Sequence, residues 1–139
     1  MFLTSLRTEK IGPQRWLLID DLVYRTELFR GTFVVTRGFQ TDFASIPRIF
    51  WSIFPPVDSY DAAAVLHDAA YADSLMSNDK RVHLVKGFAD DLFLEAMLTL
   101  RVNKIKARIM YLGVNLFGNP SNHPLMMNQL KGNEIDYRF

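Results

Sequence analysis

The chain has no cysteine among its 139 residues. That absence excludes a disulfide scaffold and any thiolate nucleophile or metal ligand, and it fits maturation in a reducing cytoplasm. An excess of either charge is also missing. Sixteen basic and 15 acidic side chains leave a net charge of +1, so no global field draws the protein to nucleic acid or to an anionic membrane, and any such contact must come from a local patch. Long hydrophobic runs are absent too. The longest nearly uninterrupted apolar stretch, Ile109 to Phe117, is too short to span a bilayer core of about 30 Å. Met1 to Arg7 lack the apolar core and small-residue cleavage site of a secretory signal, so neither a signal nor a transmembrane segment is expected.

What is present is apolar and aromatic. With 49% hydrophobic residues, 11 of them Phe, the chain has enough material for one core, and a single domain over residues 1–139 is expected. Residues 1–44 read as mainly β. Trp16–Ile19, Leu22–Thr26 and Thr32–Thr36 are short β-branched and aromatic runs separated by Asp20-Asp21 and Gly31, the pattern of antiparallel strands.

Residues 45–118 read as helical. Ser45 caps a short helix begun by Pro47 and stopped at Pro55-Pro56, and Asp58 or Ser59 caps the next, alanine-rich one. Beyond the polar turn Ser77–Lys80, a helix starting near Val82 or Lys86 runs to Leu100, with Phe88, Leu92, Leu94, Met97 and Leu100 at helical spacing. Another covers Lys104 to Phe117 and stops at Gly118-Asn119-Pro120. Residues 119–139 have no clear period and read as an irregular tail. The expected fold is α+β: a small N-terminal antiparallel sheet packed on a three-helix C-terminal part.

The alanine-rich helix carries the chemistry. His67 and Tyr71 are four apart and share a face, whereas Asp68 lies about 100° round and looks elsewhere. Asp90 follows His67 by 23 positions, within reach if the next helix packs alongside. A carboxylate accepting the imidazole proton fixes the tautomer and leaves the other nitrogen to activate water. The same pair is equally a buried polar staple, and the small residues around it are equally good helix formers closing on a partner. His83 and His123 sit in polar or loop contexts and carry no such pattern.

Four ordered motifs bring a resemblance. Gly38–Arg48, Ala63–Tyr71, Ala89–Met97 and Met110-Tyr111-Leu112 resemble the phage and prophage family known as domain of unknown function 1353, over about Leu22 to Gly118. More locally, Asp61 through Tyr71 and Ala89–Phe93 are similar to the active-site helices of phospholipase A2 domains, especially those of parvovirus capsids. That likeness implies His67 as general base, Asp90 as its orienting partner, Tyr71 as a hydroxyl on Asp90, and Asp68 as a calcium ligand. The glycine-rich calcium loop of phospholipases has no counterpart here, and calcium takes roughly six to eight oxygens. Asp42 is then either a second metal ligand or the cap of the turn leading to Ser45.

The resemblances imply a component of a phage tail or baseplate, made in the host cytoplasm and incorporated in the virion among other phage structural proteins. Its His-Asp constellation would act on host envelope lipid or cell wall during entry. The alternative is an assembly module in which His67 and Asp90 form a structural pair. A nucleic-acid role for Arg101, Lys104, Lys106 and Arg108 is not expected, because they mark the solvated end of one helix and start of the next.

Overall fold

The computed structural model describes residues 1–42 and 60–118, together with the backbone of 134–136. The helix expected from Ser45 to Pro55, the caps at Asp58 and Ser59, and His123 lie outside the described residues. Two sheets and three helices make the α+β fold. Strands β1 (Thr8–Gly12), β2 (Arg15–Leu18) and β5 (Gln40–Thr41) form one antiparallel sheet in the order β1-β2-β5. The second sheet has the order β3-β4-β6-β7-β8, with β3 at Leu22–Thr26, β4 at Gly31–Val35, β6 at Leu75–Ser77, β7 at Lys80–His83 and β8 at Glu134–Asp136. Its neighbours are antiparallel except for β7 and β8, which run parallel.

In β3 and β4 every second side chain turns inward. Leu22, Tyr24, Thr26, Phe33 and Val35 are buried, and the register sets Leu22 opposite Val35 and Tyr24 opposite Phe33, so one face of this hairpin closes the core.

The stretch read as wholly helical contains a hairpin. β6 and β7 are only three and four residues long, and they pair across Asn78 and Asp79, both at positive φ. Asn and Asp tolerate that left-handed conformation, which a tight hairpin turn demands. The sheet therefore extends past α1 in sequence. β1, and β8 within the tail, are further strands that the hydrophobic pattern did not reveal.

Three helices follow the expected order: α1 (Asp61–Tyr71), α2 (Lys86–Thr99) and α3 (Lys104–Phe117). α1 begins after Tyr60 without a side-chain cap, and all nine of its residues from Ala63 to Tyr71 are buried. A helix buried on every side needs small residues wherever a neighbour comes close. Ala63, Ala64, Ala69 and Ala70 serve this packing, and α1 touches α2, β4 and β6.

α2 packs between α1 and α3. Leu92 and Met97 are buried, while Phe88, Leu94 and Leu100 pack partly buried against the core. Near its end, Glu95 accepts hydrogen bonds from Tyr24 Oη at 2.6 Å, Thr26 Oγ1 at 3.2 Å and the backbone N–H of Leu28 at 3.0 Å. One carboxylate thus fastens the helix to the β3–β4 turn. Burial, with the Glu95 hydrogen bond adding to it, pushes the Tyr24 phenol well above its ordinary range. α3 starts at Asn103, whose side chain accepts from the N–H groups of Ile105 and Lys106, a standard N-cap.

Candidate functional site

α1 and α2 bring the expected trio together. His67 Nε2 lies 2.8 Å from Asp90 Oδ1, and the Tyr71 hydroxyl donates to the same oxygen at 2.5 Å. Both His67 and Asp90 are 0% exposed. The imidazole is clamped between rings, with centroids 4.1 Å from Tyr71 and 4.7 Å from Phe93.

The other oxygen of Asp90 belongs to a lysine that the sequence reading missed. Lys86 Nζ donates to Asp90 Oδ2 at 2.6 Å, and also to the backbone carbonyls of Val114 at 2.9 Å and Asn115 at 2.8 Å. An ammonium has three protons, and all three have acceptors. Lys86 therefore ties α2, Asp90 and the last turn of α3 into one unit, with its cation at the negative end of the α3 dipole. Its own position in α2 runs against local preference. A cation in the first turn opposes the helix dipole, and Lys placed before Asp at this spacing is the weaker order. Tertiary partners hold it there.

Gly118, immediately after α3, completes the enclosure. A Cβ at this position would lie 2.5 Å from Tyr71 Oη and 2.4 Å from the Val114 carbonyl oxygen. Only a residue without a side chain lets the chain pass so near the phenol.

The charges follow from this geometry. Burial would raise the Asp90 carboxyl, but hydrogen bonds from His67, Lys86 and Tyr71 outweigh it and hold the group below its ordinary value. Burial lowers His67 below its ordinary 6.5, with the Asp90 hydrogen bond only partly opposing. Tyr71 is pushed far up, first by burial and then by Asp90, and keeps its proton. The neutral imidazole thus carries its hydrogen on Nε2, facing an ionised Asp90, and its lone pair on Nδ1. Nδ1 is buried and has no hydrogen-bond partner among the described residues.

Asp68 does look elsewhere. It is buried and accepts from Thr41 Oγ1 at 2.5 Å, at the end of β5. Asp42, the next residue, is exposed. Among the described residues no three His, Cys, Asp or Glu side chains gather as a metal group. Among the described residues, one buried carboxylate already engaged by Thr41 and an exposed Asp42 do not make the oxygen-rich shell calcium requires. His83, whose sequence context carries no pattern, forms a second pair, with Asp73 at 2.6 Å.

Lys86 and Asp90 were visible as a pair four apart, the one local signal for the lysine. Its other two acceptors lie 28 and 29 residues away. No curated protein and no solved structure matches the chain. The four motifs and the two helices that carry His67 and Asp90 fall within residues 16–114, where the profile of a known family matches, and the chain belongs to that family, described as protein of unknown function DUF1353.

Proposed function

We propose that this domain is a component of a phage particle, in the tail or baseplate, and that His67 is the general base of an ester hydrolase directed at host envelope lipid. The single observation behind the chemistry is the unpartnered Nδ1 of His67. A buried polar atom without a partner costs about 1–3 kcal/mol, and here the opposite nitrogen is fixed by Asp90 while the ring is held neutral. That is the state a base needs before it accepts a proton. The phage placement draws its support from the resemblance of the four motifs.

In the reaction, a water proton passes to His67 Nδ1 as the water oxygen attacks the ester carbonyl carbon. The ester C–O bond then breaks, and the imidazolium returns the proton to the departing alkoxide. Asp90 balances the imidazolium, and Tyr71 and Lys86 keep Asp90 in place. Lys86 has no proton left for the oxyanion, so it positions and does not act as the electrophile. Because His67 is enclosed, this reading requires the Nδ1 side to open when substrate arrives.

The test is fatty-acid release from mixed phospholipid vesicles, with and without calcium. His67→Gln is expected to lower the rate by roughly 10²- to 10⁴-fold, the usual contribution of a general base. A folded wild-type protein that releases nothing, or a His67→Gln variant that keeps the activity, overturns the reading. The complete burial of both His67 and Asp90 favours a second reading, a purely structural pair in an assembly module. It predicts no hydrolysis and a marked loss of stability when either residue is removed.

A further inference from the structure

Helix α3 is apolar on two opposite sides. Ala107, Met110 and Val114 face the core. On the far side Ile105, Ile109, Leu112 and Leu116 recur at steps of four, three and four, with exposures of 71%, 39%, 55% and 72%. Phe117, also exposed, ends the helix about 100° round from Leu116. An outward helix face in water is ordinarily polar, and an exposed contiguous apolar stripe marks a binding surface.

The flanking charge narrows the occupant. α3 carries Lys104, Lys106 and Arg108 and no acidic residue. Lys106 sits over the Tyr60 ring at 5.2 Å, while Lys104 and Arg108 are exposed beside the stripe and form no ion pair among the described residues. Nucleic acid would be met by the cations but gives four aliphatic side chains nothing to bury. A second copy would find one helix of 14 residues, about 21 Å long, far fewer than the roughly 20–30 residues a side of a standard interface. Aliphatic residues edged by cations on a short helix match an anionic bilayer surface. There the apolar face sinks about 5–10 Å into the headgroup boundary and the cations meet phosphate.

We infer that α3 docks the protein flat on an anionic phospholipid bilayer through Ile105, Ile109, Leu112 and Leu116, with Lys104 and Arg108 at the headgroups. The docking stands on α3 alone.

The experiment is flotation of the full chain with phosphatidylcholine vesicles and with vesicles containing phosphatidylglycerol. Binding is expected to the anionic vesicles and to weaken with salt. Removing Lys104 or Arg108 should weaken it about fivefold each, and the double variant Leu112→Glu/Leu116→Glu about tenfold or more, through loss of apolar anchoring. All four positions are exposed, so an unchanged melting temperature confirms that the fold is intact. His67→Gln should bind like wild type, which separates docking from hydrolysis. Absence of binding to anionic vesicles, or equal binding by the leucine variant, overturns the inference. So does a dimer in sedimentation that Leu112→Glu dissociates, because a second copy then covers this face.

Discussion

Replacing Asp90 with alanine tests the site where its energy is concentrated. The carboxylate is the acceptor for two enclosed donors, His67 Nε2–H and the Tyr71 hydroxyl, and for one proton of Lys86. In Asp90→Ala the first two donors lose their acceptor while still buried, at about 1–3 kcal/mol each. Lys86 keeps the Val114 and Asn115 carbonyls and adds little. The total of roughly 2–6 kcal/mol brackets the usual cost of removing one partner from a buried charged pair, about 3–5 kcal/mol. Against a stability of about 5–15 kcal/mol for a domain of this size, that lowers the urea midpoint strongly. It also lowers the melting temperature by roughly 9–15 °C, at about 3 °C per kcal/mol. Asp91→Ala is the control. Asp91 is the neighbouring carboxylate and binds the Tyr111 hydroxyl at 2.9 Å nearer the surface, so its loss should cost no more than about 1 kcal/mol. If Asp90→Ala costs as little as Asp91→Ala, the hydrogen bonds at Asp90 are no better than those water supplies, and the reasoning fails.

Two further outcomes follow from the same geometry. Because His67 has a folded-state pKa below its ordinary 6.5, the unfolded chain binds more protons just under that value, and stability must fall as pH drops below about 6.5. The depressed Asp90 adds a second loss in the same direction, beginning below its ordinary 3.8. Urea midpoints measured from about pH 8 downward should show the upper step in wild type and not in His67→Gln; a flat profile between about pH 7 and pH 5 contradicts the assignment. Gly118→Ala should destabilise by about 1–3 kcal/mol, the usual cost of overpacking, because its methyl meets the Val114 carbonyl and the Tyr71 hydroxyl. A neutral effect by thermal unfolding would show that the last turn of α3 yields freely.

The parts of the fold that sequence made legible are those whose signal is local. α2 was visible from the helical spacing of its apolar residues, α1 from its alanine-rich run, α3 from its stop at Gly118-Asn119-Pro120, and β3 and β4 from β-branched and aromatic runs between turn formers. His67, Tyr71 and Asp90 could be joined because two helices separated by a modest connection tend to pack together. The β6–β7 hairpin escaped because its strands are three and four residues long, too short to show alternation, and because Asn78-Asp79 reads as a loop before it reads as a hairpin turn. Lys86 escaped for a different reason. Its position is unfavourable within α2 taken alone, and only the carbonyls of α3 explain it. Asp68 was assigned a neighbour without identity, since nothing in the sequence couples it to Thr41 across 27 positions.

Helix α2 carries the buried carboxylate of Asp90 toward His67 and the half-buried one of Glu95 toward the β3–β4 turn. Five residues apart, they point about 140° from each other around the helix axis. The helix is therefore a beam pinned at two points, and neither pin can slide along its axis without breaking hydrogen bonds at the other. Slowly exchanging amides should consequently group the turn at Thr26–Leu28 with the last turn of α1, two places remote in sequence that share one mechanical support.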